Sequence, residues 1–201
     1  MIVISNPVPI ENEIKLIRAL FAEGLMLFHV RKPDFSENDT KAFILEMGFE
    51  FRNRLVLHQH HQLAEDFGIN RIHFTEKVRN ETSHEMLNHW KGKGFTLSTS
   101  VHSIENFNTL ENDFDYAFLG LVFPSISKEN YVPSLDYTTE LQKRTNHKTR
   151  LTALGGIQSG NINLVLTLGF DDIALLGTIW NQSNPIENFK QCQQIAPSYS
   201  L

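Results

Sequence analysis

Gly155-Gly156 and Gly177 carry the most readable chemistry in this chain. Glycine has no Cβ, so backbone N–H groups at such positions can close on an anion. Each turn follows a short apolar run, Leu151–Leu154 in one case and Ile173–Leu176 in the other. The pair therefore reads as a phosphate cradle at the ends of two neighbouring strands, with Leu176 beside it. The plain alternative is that these glycines only end strands. Arg31 can pair bidentately with a phosphate, and Lys128 stands in Ser125-Ile126-Ser127-Lys128. Two hydroxyls and an ammonium within four residues offer several donors to one oxyanion. Both cations would equally suit salt bridges at a rim.

His102 can give and take a proton near neutral pH, because an unperturbed imidazole titrates at ~6.5. The competing role is local, since Ser103 opens a helix and a histidine beside it can serve the helix end. A second group of histidines, His58, His60 and His61 with His29 and His73, has the donor type for zinc or iron. Two features weigh against that. His60 and His61 fall in a loop or first helical turn, and Asp171 and Asp172 precede the last strand instead of ending it. No resident metal is expected.

Eight short apolar runs must position these residues: Ile2–Ser5, Met26–Arg31, Leu55–Leu57, Arg71–Phe74, Thr96–Ser100, Tyr116–Gly120, Leu151–Leu154 and Ile173–Leu176. Their nearly continuous hydrophobicity marks strands covered on both faces, as in a parallel sheet. Helical patterns lie between them. Ile10, Ile14, Ile17 and Phe21 form one apolar stripe that Gly24 closes. Ser36 with Asp39, Ser103, and Asn184-Pro185-Ile186-Glu187 are helix-start signals. The pattern predicts one α/β domain over residues 1–201, a closed (β/α)8 barrel of the TIM type. An open doubly wound sheet would want a glycine-rich turn after the first strand, where Ser5-Asn6-Pro7 stands. In such barrels the site lies at the C-terminal strand ends. That is where Arg31, His58-Gln59, Glu76, Ser100, His102, Ser125–Lys128 and both glycine turns fall.

Composition narrows the rest. The chain has 201 residues, 41% hydrophobic and 20% charged, which excludes a disordered chain. A formal net charge of -5 argues against nucleic-acid binding, which needs a basic surface. A single cysteine, Cys192, fits a reducing compartment. No apolar run approaches the ~20 residues that span a bilayer. The first residues lack a basic n-region and a cleavage site, so a cytoplasmic location is expected, with no membrane partner.

In order along the chain, Phe28-His29-Val30-Arg31, Ile72-His73-Phe74, Ser100-Val101-His102-Ser103, Asp115-Tyr116 with Leu119-Gly120, Phe123-Pro124, Ser125–Lys128, Leu154-Gly155-Gly156-Ile157 and Ile173–Gly177 form a set. With these segments the chain resembles the thiamine phosphate synthase and TenI (thiazole tautomerase) superfamily, from the second strand to the eighth. The resemblance implies a thiazole phosphate or thiamine phosphate ligand and leaves a homo-oligomer open. It implies phosphate contacts from Arg31, Ser100, Ser125, Ser127, Lys128, Gly155, Gly156, Leu176 and Gly177. A pyrimidine side would fall to His29, His58, Gln59 and His73.

Synthases of this superfamily join a pyrimidine methyl diphosphate to thiazole phosphate with Mg2+. They carry Gln-x-Arg-x-Lys after the second strand, where this chain has His29-Val30-Arg31-Lys32-Pro33. They carry Asn-Asp after the third, here His58-Gln59, and a further aspartate beyond the fourth, here Glu76-Lys77-Val78. Mg2+ favours hard carboxylate ligands, so these exchanges weaken its site and leave Glu76 as the carboxylate at hand. TenI-like members need no metal and shift a double bond in a carboxylated thiazole phosphate. His102 matches the histidine assigned to that proton transfer, while Ser125–Lys128 stays close to the synthase Thr-x-Thr-Lys loop. The expectation is therefore a TenI-like tautomerase with no cofactor. The alternatives are a synthase with an altered Mg2+ site and a non-catalytic ligand-binding homologue.

Overall fold

A computed structural model describes residues 1–110, 113–124 and 137–196. Ser125, Ser127 and Lys128 lie outside the described residues. Eight parallel strands close into a barrel in sequence order: β1 (Ile2–Ile4), β2 (Phe28–Val30), β3 (Leu55–Leu57), β4 (Arg71–Phe74), β5 (Thr96–Val101), β6 (Tyr116–Gly120), β7 (Arg150–Leu154) and β8 (Asp172–Leu175). β8 pairs back onto β1 through Ile2 with Ala174 and Val3 with Leu175, which leaves no sheet edge. The (β/α)8 architecture expected from the eight runs is the one present.

Strand alternation splits the core in two. Val3, Phe28, Leu55, Leu57, Ile72, Leu97, Ala117, Leu151 and Ile173 point outward into the layer beneath the helices. Ile2, Ile4, Leu27, Val56, Tyr116, Phe118 and Ala174 fill the barrel itself. The period of two then dictates that His29, His73 and Ser98 also point inward, each flanked by outward-facing neighbours. All three are completely buried. His29 and His73, expected near strand ends, therefore belong to the barrel interior.

The helical layer comprises α1 (Glu13–Ala22), α2 (Glu37–Met47), α3 (Gln62–Asp66), α4 (Glu76–Glu81), α5 (His84–Gly92), α6 (Ile104–Asn108), α7 (Tyr137–Leu141), α8 (Ile162–Leu168), α9 (Gly177–Trp180) and α10 (Pro185–Gln193). The stripe expected from Ile10 onward is shorter than the spacing suggests. α1 begins at Glu13, Ile10 precedes it, and the buried face is Glu13, Ile17, Leu20 and Phe21. A charged residue on that face hides it from a purely apolar count. The start signals hold. Ser36 accepts from the Asp39 N–H at 3.2 Å and Asp39 accepts from the Ser36 N–H at 2.9 Å, a reciprocal capping box. Ser103 caps α6 through the Asn106 N–H, and Asn184 caps α10 through the Glu187 N–H. Removing the α2 cap by Ser36→Ala takes the acceptor from the Asp39 N–H. It should cost about 1 kcal/mol in urea unfolding, with an unchanged slope against denaturant.

Candidate functional site at the C-terminal mouth of the barrel

The loops after β7 and β8 meet. The Thr178 hydroxyl, in the first turn of α9, donates to the Ile157 carbonyl just past Gly156. Gly155 and Gly156 take φ of +101° and +63°, a region that side chains disfavour. A Cβ at Gly155 would lie 2.5 Å from Leu121 Cδ2, and one at Gly156 would lie 2.6 Å from the Pro124 carbonyl oxygen. These glycines thus let the loop after β6 pack down on the turn, a structural demand in its own right. Gly177 opens α9, whose first N–H groups lack intrahelical acceptors. Leu176 packs with Leu154 against the barrel interior, below this turn. Trp180 Nε1 donates to the Ile4 carbonyl at 2.6 Å and ties α9 to the end of β1.

His102 stands at the end of β5, 67% exposed. Its Nδ1 lies 3.3 Å from the Gly120 carbonyl oxygen, an acceptor to which it can donate. Nε2 lies 3.4 Å from Glu76 Oε2. The other Glu76 oxygen accepts from Arg79 Nη2 at 3.4 Å and from Asn106 Nδ2 at 3.3 Å. Glu76 is thereby turned toward the histidine and held there by α4 and α6. A carboxylate beside an imidazole at a strand end is an arrangement suited to moving protons. The sequence marks Glu76 only as a replacement for an aspartate. Its pairing with His102 joins two elements that no local spacing relates.

The residues where Mg2+ would bind do not suit that ion. Gln59 brings an amide, and its Nε2 donates to the carbonyls of Lys32 at 2.6 Å and Phe35 at 3.0 Å. Glu76 is engaged as described. A hard cation favours carboxylates together with substrate phosphates, and this donor set offers no pair of uncommitted carboxylates among the described residues.

Arg31 is exposed, with its backbone clamped by Ser5: the Ser5 hydroxyl accepts from the Arg31 N–H at 2.8 Å and donates to the Arg31 carbonyl at 3.0 Å. Lys32, next in sequence, turns the other way. Its ammonium is 1% exposed and sits 2.6 and 2.7 Å from the two Glu13 oxygens, flanked by Phe35 and Phe43. Burial pushes the Glu13 carboxyl up and the Lys32 ammonium down, while the pair pulls both back. Lys32 is therefore part of the scaffold. Neither it nor Glu13 announces that role in sequence.

Below the mouth, His58 Nε2 and His29 Nδ1 share a hydrogen bond of 2.9 Å, and His29 Nε2 meets Tyr116 Oη at 2.7 Å. His73 bonds Ser98 through Nδ1 and Ser100 through Nε2, both at 2.9 Å, and stacks on His58. Ser100, expected on the ligand, thus also supports His73. His60 and His61 stand apart and bond the carbonyls of Phe35 and His73. Burial holds the His29 and His58 imidazoles well below their usual range and brings His73 to about 3. These rings are neutral when folded and take up protons near ~6.5 when unfolded. Between about pH 6.5 and pH 3 the unfolded chain binds more protons, so stability falls as pH falls. Each histidine adds a slope of up to about 1.4 kcal/mol per pH unit. Urea midpoints of metal-free protein in EDTA should drop steeply from pH 7 to pH 5. A flat profile would show that these rings are not buried neutral.

Residues 1–179 match the family model described as thiamine monophosphate synthase. The thiamine-phosphate synthase of Dictyoglomus turgidum is 23% identical over 192 residues, covering 94% of this chain and 85% of that protein. That of Histophilus somni is 33% identical over 128 residues, covering 62% of this chain and 56% of that protein. Among solved structures, thiamine phosphate pyrophosphorylase from Bacteroides thetaiotaomicron superposes with a TM-score of 0.75 at 25% identity, covering 97% of this chain and 96% of that one. The Pyrococcus furiosus enzyme of the same name gives 0.76 at 17%, covering 96% and 93%, a likeness of fold. A family model spanning nearly all of the barrel places this chain in the thiamine monophosphate synthase family.

Proposed function

We propose that the protein binds thiazole phosphate at the mouth and acts as a TenI-like tautomerase, with His102 as the acid/base. The observation that carries the reading is the 3.4 Å contact of His102 with Glu76, the residue at the position where the resemblance puts a metal-binding aspartate in the synthases. Tautomerisation removes a proton from one ring atom and returns one to another, with no leaving group to neutralise. An imidazole poised for exchange is sufficient for that, whereas expelling diphosphate depends on charge stabilisation that Gln59 and an engaged Glu76 supply poorly. The phosphate is assigned to the turns at Gly155-Gly156 and Gly177, with Arg31 at the opposite rim.

The experiment is direct. Carboxylated thiazole phosphate is incubated with the protein in EDTA and its conversion to the aromatic tautomer is followed by NMR. Acceleration over buffer is expected. No acceleration by folded protein would remove the tautomerase assignment. The second reading, a synthase with a rearranged Mg2+ site, draws on the names of the relatives. Mg2+-dependent thiamine phosphate formation from the two substrates would establish it.

A further inference from the structure

The three imidazoles inside the barrel play no part in the proposed proton transfer, and their arrangement suits something else. His29, His58 and His73 each offer a ring nitrogen, and these atoms all lie within 4.8 Å of one another. His29 Nδ1 and His58 Nε2 are already 2.9 Å apart. A tetrahedral metal with bonds of 2.0–2.1 Å wants its nitrogens about 3.4 Å apart, so the shift required is of ångström size.

The partners behind the rings select which nitrogens are available. His73 is held from behind by Ser98 at Nδ1, 2.9 Å, and its Nε2 meets the Ser100 hydroxyl at 2.9 Å, a contact that a metal at Nε2 would displace. Tyr116 holds His29 Nε2 and orients Nδ1 toward His58. A hydrogen bond to the ring nitrogen behind the ligating one is how protein metal ligands are oriented. The proton in the His29–His58 hydrogen bond is the one a metal would replace.

We propose that His29, His58 and His73 form a divalent transition-metal site in the barrel interior, of the zinc type, with an open fourth position. Nitrogen donors without carboxylates favour zinc, cobalt or nickel over magnesium or calcium. Three neutral histidines are an established zinc ligand set, the fourth position being water or an anion. The fourth position would take water, hydroxide or an anion. His58, 9% exposed while the other two rings are fully buried, marks the side from which the ion enters. This site is separate from the tautomerase reading, and neither depends on the other.

The test uses the full chain, stripped with chelator and dialysed against Zn2+ or Co2+. One equivalent of zinc should survive gel filtration. Co2+ should give the intense visible absorption of a four-coordinate nitrogen site. His58→Ala and His73→Ala should weaken zinc binding at least about 100-fold, Tyr116→Phe about 10- to 100-fold, and the exposed His84→Ala not at all. If an alanine variant fails to fold, His58→Gln and the wild-type cobalt spectrum carry the decision. Zinc retained equally by wild type and His58→Gln, or only the faint absorption of six-coordinate Co2+, would overturn the proposal.

Discussion

His102→Ala is expected to slow tautomerisation of carboxylated thiazole phosphate by about 10²–10⁴-fold, the span that a positioned general acid/base contributes. The loss should fall on kcat, with thiazole phosphate affinity nearly unchanged, because the proposed phosphate cradle lies at other residues. The side chain is 67% exposed and, among the described residues, bonds the Gly120 carbonyl and Glu76, so its removal leaves the core intact and stability close to wild type. Glu76→Gln provides the companion variant. It keeps the shape and an acceptor for Arg79 and Asn106 but removes the charge beside Nε2, so a smaller loss in kcat and a changed pH profile are expected. Equal rates for wild type and His102→Ala would remove His102 from the mechanism.

Lys32→Met should be strongly destabilising. It strands the Glu13 carboxylate, 6% exposed, among Phe35 and Phe43 with no cation, at a cost of about 3–5 kcal/mol. Against a typical total of about 5–15 kcal/mol, that is enough to leave much of the protein unfolded at elevated temperature. The cost should shrink at acid pH, where Glu13, already pushed up by burial, becomes neutral. Adding Glu13→Leu should recover most of the loss, since the pair itself gains little over well-packed apolar side chains. Urea unfolding of the two single variants and the double variant measures this. Additive losses would mean that the pair is not coupled.

The barrel was legible because its signal is repetition. Eight apolar runs separated by caps such as Ser36, Ser103 and Asn184 admit few other architectures, and each cap bonds as its residue type suggests. The glycine turns were legible too, although their positive φ and the close approach of Leu121 and Pro124 are visible only in three dimensions. What escaped the sequence is pairing across elements. Glu13 and Lys32 are nineteen residues apart and read as ordinary surface charges until both are found buried. The histidines grouped by proximity in the chain separate in space. His60 and His61 turn to backbone carbonyls, while His29 and His73 join His58 because strand alternation aims all three inward. Tyr116, eighty-seven residues from His29, gives no local sign of contacting it.

The central claim is an anion site that works without a magnesium donor set. Calorimetric titration of the chelator-treated protein tests it most directly, with thiazole phosphate and pyrimidine methyl diphosphate each measured with and without Mg2+. Thiazole phosphate should bind equally well in both conditions, weaken on Gly156→Val, and gain nothing from the pyrimidine diphosphate. Pyrimidine diphosphate binding that appears only with Mg2+, followed by heat from product formation when both ligands are present, would contradict the account.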